Sequence, residues 1–205
     1  MAALTGGKLR PGHRVVELAV ARRLGVSTAV VREALLELLP LGAFVKKERS
    51  HWQVASVDDK QLEALREFRE MVEVFALRRL LARSRVTPAP AFARNHRRTQ
   101  ALLASPRVTT RDILEVDLEF HRLLLESSGN PLLLERAGFI YLIIEFQLVS
   151  PHFQLERGKL GLRQHLRIHR AIARGRPGAA EKALRQHLRA ADESICAIAR
   201  SLPSK

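Results

Sequence analysis

The chain has 205 residues, 46% of them hydrophobic and only 5% aromatic, with a formal net charge of +14 and a pI near 11.3. That apolar content supports a core in one large domain or two small ones, and the basic balance points to an anionic partner. A lone cysteine, Cys196, excludes an intrachain disulfide, and the apolar run from Ala137 to Ile144 is far short of the roughly 20 residues that span a bilayer. With no basic-then-apolar leader, the expected location is the cytoplasm, with no membrane association.

Leu9 to Gly12 reads as a loop closed by Pro11-Gly12. Val15 to Leu24 reads as a helix, Gly25-Val26 as a tight turn, and Thr28 to Leu39 as a second helix that Ser27 caps with its hydroxyl. Val30, Ala34 and Leu38 form its apolar face, with Val31 and Leu35 beside them and Arg32 and Glu33 off the stripe. Pro40 and Gly42 stop it. Ala43 to Lys47 and His51 to Ser56 read as short strands joined by Glu48-Arg49-Ser50, a hairpin or wing. Helix, tight turn and basic-faced helix are what a groove-entering head requires, so DNA is the first expected partner.

The pattern changes near residues 56–60. Six helices follow, at about 59–84, 89–104, 109–128, 131–149, 155–175 and 177–201. Each break carries Pro or Gly: Thr87-Pro88, Ser105-Pro106, Gly129-Asn130-Pro131, Ser150-Pro151 and Arg176-Pro177-Gly178. Such short connections predict an antiparallel bundle. The basic excess divides between the parts, +5 over residues 1–57 and +9 over residues 58–205.

Polar groups interrupt the apolar stripes of three bundle helices. Asp117 and His121 stand one turn apart among Ile113, Leu114, Phe120 and Leu124. His165 sits between Leu162, Ile168 and Ile172, with His169 one turn on, and His187 lies on the stripe of Ala180, Ala183, Leu184, Ala191 and Ile198. One inward histidine is ordinarily a hydrogen-bonded core group, and an Asp-x3-His pair can be an internal charge pair. Their coincidence on three helices points to a cage for a divalent metal, provided those helices meet. Arg69 is also misplaced, among Leu62, Leu65, Val72, Ala76 and Leu80. It either pairs with Glu73 four residues on, or grips a bound carboxylate with two parallel hydrogen bonds. No dinucleotide fingerprint, phosphate loop, nucleophile elbow or His-Glu-x-x-His motif is present, and no general base can be named.

With these residues in view, the chain resembles the GntR family of bacterial transcription regulators, in its FadR-like branch with an FCD effector domain. The match runs through Leu9-Arg10-Pro11-Gly12, Leu18-Ala19, Leu24-Gly25-Val26-Ser27 and Val31-Arg32-Glu33-Ala34-Leu35. It continues through Arg69-x3-Glu73, Asp117-x2-Phe120-His121, Ser128-Gly129-Asn130, and His165 with His187. The resemblance implies a mainly α chain: a winged helix-turn-helix DNA-binding domain over residues 1–57 and a helical FCD-like effector and dimerisation domain over residues 58–205. It implies a homodimer on double-stranded operator DNA that senses a small carboxylate, and not an enzyme.

Carried over by position, the metal ligands would be Asp117, His121, His165 and His187, the pattern His-x2-Ile-x2-Ala-Ile selecting His165 over His169. Zinc and nickel lead as the ion. Arg69 and Asn130 would face the effector. Ser27, Thr28, Arg32, Lys46, Lys47, Arg49 and His51 would meet DNA. Three departures stand out. Only about eight residues precede the Leu-x-Pro-Gly loop, where the family usually has a helix. Ser27-Thr28 replaces the usual Ser-Arg, and the usual wing-tip glycine is replaced near His51. The expected function is a ligand-responsive regulator, most simply a repressor. The alternatives are a metal-dependent hydrolase or lyase, and a dimeric metal- or ligand-binding protein without DNA binding.

Overall fold

The computed structural model describes residues 12–40, 44–47, 51–55, 59–83, 90–137, 141 and 155–201. The head contains β1 (Arg14–Val15), α1 (Glu17–Leu24), α2 (Thr28–Leu38), β2 (Phe44–Lys47) and β3 (His51–Val54). The remainder is helical: α3 (Asp59–Arg83), α4 (Pro90–Ala104), α5 (Thr110–Ser127), α6 (residues 131–137), α7 (Leu155–Ala173) and α8 (Pro177–Ser201).

Gly25, at φ 68°, takes the left-handed conformation that ends α1, and Ser27 Oγ accepts from Val30 N at 3.3 Å to start α2. The first helix begins at Glu17, two residues later than the expected Val15. Val15 is a strand residue paired with Trp52, and Val16 is the extended N-cap of α1. Backbone pairing with a distant strand, suited to two β-branched valines, outweighs the local helical period. The apolar face of α2 is also rotated. Val31, Leu35 and Leu38 are buried, whereas Val30 is 52% exposed. The three strands are antiparallel in the order β1-β3-β2, with Lys46 opposite Trp52. Val15, Ala21, Val31, Leu35, Phe44, Trp52 and Val54 form the head's core. The region expected to lack a helix, residues 1–11, and Arg49 in the wing tip lie outside the described residues.

Pro90 and Pro177 begin α4 and α8, where the missing N–H costs nothing. Thr109 and Asp112 cap α5 reciprocally. Helix α5 packs against α3, α4 and α7, and α8 against α3 and α7. Between them lies a core of Val72, Leu77, Phe92, Phe120, Leu124, Ile168, Leu184 and others, all nearly solvent-free. Of the five helices α3, α4, α5, α7 and α8 around this core, all but α4 carry the polar residues singled out above.

Candidate metal and effector centre

Asp117 and His121 project from α5, His165 from α7 and His187 from α8. One ligand atom of each lies within 4.8 Å of the others. His165 Nε2 is 3.0 Å from His187 Nε2, and His187 Nε2 is 3.2 Å from His121 Nε2. Asp117 reaches in at 3.5 Å from His165 and 3.9 Å from His121. The three histidines are buried, and the Asp117 side chain is 16% exposed.

Hydrogen-bond partners fix two of the ring tautomers. His121 Nδ1 faces Glu73 Oε2 at 2.7 Å and donates to it. His187 Nδ1 faces Gln164 Oε1 at 3.0 Å and donates there. Both rings then present an Nε2 lone pair to the other at 3.2 Å. Arg69 Nη2 serves the His121 atom at 3.0 Å, and a proton on His165 Nε2 serves His187, while the buried His165 Nδ1 has no partner in either tautomer. A cation shared by the three Nε2 atoms would take the place of these contacts. Two imidazole nitrogens on one ion at about 2.1 Å lie about 3.0 Å apart at octahedral angles and about 3.4 Å at tetrahedral ones, so the spacing fits. Burial and the neighbouring His187 and His121 hold His165 well below its ordinary pKa, and burial with His121 and Arg69 does the same to His187. Both are neutral at neutral pH, the state in which an imidazole can ligate a metal. Burial raises Asp117 against the pull of His121 and Arg69.

A second layer orients this set. The Glu73 carboxylate, wholly buried on α3, accepts from Arg69 Nε at 2.8 Å, His121 Nδ1 at 2.7 Å and Tyr141 Oη at 3.0 Å. Burial pushes its carboxyl up, but the electrostatic pull and hydrogen bonds of His121 and Arg69 outweigh this and hold it at about 2. Arg69 thus makes the pair with Glu73 that its spacing allowed. Its Nη2 also donates to His121 Nε2 at 3.0 Å, while Nη1 is buried without a partner. The Tyr141 phenol, raised by burial and by Glu73, stays protonated. The roles of Glu73 toward His121 and Tyr141, and of Gln164 toward His187, have no signal in helical spacing.

The other predicted residues fall elsewhere. His169 turns from the cluster to Asn95 Oδ1 at 3.0 Å. Asn130 Oδ1 accepts from Leu132 N at 3.1 Å and its own N–H donates to Ser128 Oγ, so its side chain caps α6. In the head, Ser27 serves as a cap, Thr28 is exposed, and Arg32 is exposed but bonded to Glu17. Lys46 and Lys47 are exposed on β2, with Lys46 Nζ 5.6 Å from the Trp52 ring centre, and His51 is half-buried.

Residues 64–190, more than half the chain, match the FCD domain family. The protein named "Probable HTH-type transcriptional regulator LgoR" of Escherichia coli (strain K12) is 30% identical over 193 residues, 92% of this chain and 62% of LgoR. The chain is a GntR-family transcription regulator with an FCD domain. It spans less than two thirds of LgoR's length. The transcriptional repressor RspR of the same organism is 28% identical over 193 residues, covering 91% of this regulator and 81% of RspR. The solved structure of E. coli McbR/YncC shares the fold at TM-score 0.79 and 20% identity, over 96% of this chain and 92% of that one. Relatives named as transcription regulators favour the regulator over the hydrolase or lyase alternative. Among the described residues no helix is long and apolar enough to cross a membrane.

Proposed function

We propose that this regulator is a cytoplasmic homodimeric repressor that releases operator DNA when a small organic acid binds inside its helical domain. Asp117, His121, His165 and His187 would hold a divalent ion, zinc or nickel, that offers the acid a Lewis-acidic anchor. Arg69 would supply the second grip through its unpartnered Nη1. Residues 1–57 would bind DNA, with Ser27, Thr28, Arg32, Lys46, Lys47, Arg49 and His51 along the contact. Residues 58–205 would sense and dimerise. The exposed stripe of Phe68, Met71 and Phe75 on α3 suits a second copy.

The observation carrying this reading is the convergence of one carboxylate oxygen and three imidazole nitrogens, all within 4.8 Å of one another, inside the bundle. Formal charge points the same way. Arg69 contributes +1, Glu73 and Asp117 −1 each, and the histidines nothing, so a divalent ion leaves the centre one positive charge in excess. Buried excess charge is costly, and a monocarboxylate balances it. Effector and metal affinities should therefore be coupled.

Titration calorimetry of chelator-stripped chain with zinc or nickel, then with a panel of small carboxylates, tests this. One ion per chain is expected, none in His165→Ala/His187→Ala, and carboxylate binding only after metal. Full metal content in the double variant would leave the histidines as core groups, and metal-independent carboxylate binding would remove the charge coupling.

A further inference from the structure

Glu17 opens α1 and belongs neither to the turn nor to α2, yet its carboxylate joins three elements. Arg32 on α2 donates from Nε to both oxygens at 3.1 Å and from Nη2 to Oε2 at 2.7 Å. Trp52 on β3 donates its indole N–H to Oε1 at 2.8 Å. A guanidinium has two bonding edges, and Glu17 takes the one formed by Nε and Nη2. The edge formed by Nη1 and Nη2 has no partner among the described residues, and the Arg32 side chain is 61% exposed against 18% for Glu17. That outward edge offers two parallel N–H donors, the pattern that meets O6 and N7 of a guanine in the major groove.

The other end of the clamp is rigid. Trp52 is 1% exposed, paired with Val15 on one side and Lys46 on the other. An exposed ion pair adds little to stability. Its effect lies in ordering: a long arginine side chain left free must lose its rotamer freedom on docking, and here it is already aimed. Charge on Glu17 is secured too, because the bonds from Arg32 and Trp52 hold its carboxyl below the usual range.

We propose that Glu17 is a positioning residue for sequence reading, holding Arg32 edge-on to the groove and tying the recognition helix to the wing through Trp52. This rests on the reading of α2 as the element that enters DNA. The test uses the full chain and short duplexes enriched from a random library by the wild-type protein, against an unrelated duplex. Glu17→Gln should bind the enriched duplex roughly three- to tenfold more weakly. It should also lose discrimination at the same base pair as Arg32→Ala, with the double variant no worse than Arg32→Ala. Affinity for the unrelated duplex should hold or rise, because an anion facing phosphates is gone. Loss of fold cannot produce changes of opposite sign. Trp52→Phe, which keeps the ion pair and removes the wing's tie, should lose part of the discrimination at that base pair. Unaltered discrimination in Glu17→Gln, or equal weakening on both duplexes, overturns the clamp alone. Failure of the wild-type chain to enrich any sequence would overturn the groove-reading role and the clamp with it.

Discussion

Glu73→Gln separates the second layer of the centre from its ligands. A carboxyl that titrates at about 2 in the folded chain, against an ordinary 4.5, favours the folded state by about 3 kcal/mol at neutral pH. The same figure follows from the contacts, since removing one member of a buried ion pair costs about 3–5 kcal/mol. Glutamine also cannot restore the bonding. In either amide orientation its NH2 faces a donor, Arg69 Nε and Tyr141 Oη on one side or His121 Nδ1 on the other. If His121 changes tautomer to escape, its proton moves onto Nε2, the atom turned toward His187. The expected result is a thermal midpoint lower by roughly 6–12 °C in metal-free protein, read by far-UV circular dichroism, and divalent metal bound about 10- to 100-fold more weakly. The sign with pH is set by a depressed folded pKa. The contribution is complete above pH 4.5 and lost as pH falls through 2, so the variant's acid limb should be flatter in that window. A variant within about 1 kcal/mol of wild type by urea unfolding, with unchanged metal affinity, would refute both the charge assignment and the tautomer reasoning.

Two further outcomes test neighbouring parts of the bundle. Burial, with the nearby His96, depresses His169 to about 3 from an ordinary 6.5, so its stabilisation is complete above pH 6.5 and lost as pH falls toward 3. Between pH 7 and 5 that amounts to about 2 kcal/mol. His169→Gln keeps a donor for Asn95 and should lose that share of the pH dependence in urea unfolding; an unchanged slope would place the proton uptake elsewhere. Gly129, at φ 69°, sits where an added Cβ would collide with the Arg83 guanidinium. Gly129→Ala should lower stability by about 1–2 kcal/mol, seen as a reduced urea midpoint at constant slope, and a wild-type midpoint would show that the turn relaxes.

The helix boundaries of the bundle were legible because proline and glycine act locally. The breaks at Ser105-Pro106, Gly129-Asn130-Pro131 and Arg176-Pro177-Gly178 fall within two residues of the observed ends. Val15 was not legible as a strand, since its partner Trp52 lies far along the chain. His165 and His169 share a helix face, so periodicity leaves them equivalent. What separates them is the neighbour each meets, His187 on α8 for one and Asn95 on α4 for the other. Glu73 was visible as a partner for Arg69 at four residues. Its bonds to His121 and Tyr141 cross 48 and 68 residues of chain and depend on α3 meeting α5 and the segment around Tyr141. Local chemistry declares itself in spacing, whereas a group's second and third partners depend on which helices meet.

Glu17 and Glu73 are built alike. Each carboxylate accepts from an arginine and from an aromatic ring on another element: Arg32 and Trp52 for one, Arg69, His121 and Tyr141 for the other. Solvent separates their consequences. Water screens the Arg32 pair, so loss of Glu17 should leave stability nearly unchanged and alter what the arginine reads. Arg69 is 3% exposed and Glu73 not at all, so loss of Glu73 strands a buried cation and must cost stability before it alters binding. Comparing Glu17→Gln with Glu73→Gln in one chain therefore gives opposite dissociations: specificity without stability in the head, and stability together with metal in the bundle. A stability loss as large for Glu17→Gln as for Glu73→Gln would mean that exposure is not what distinguishes the two carboxylates.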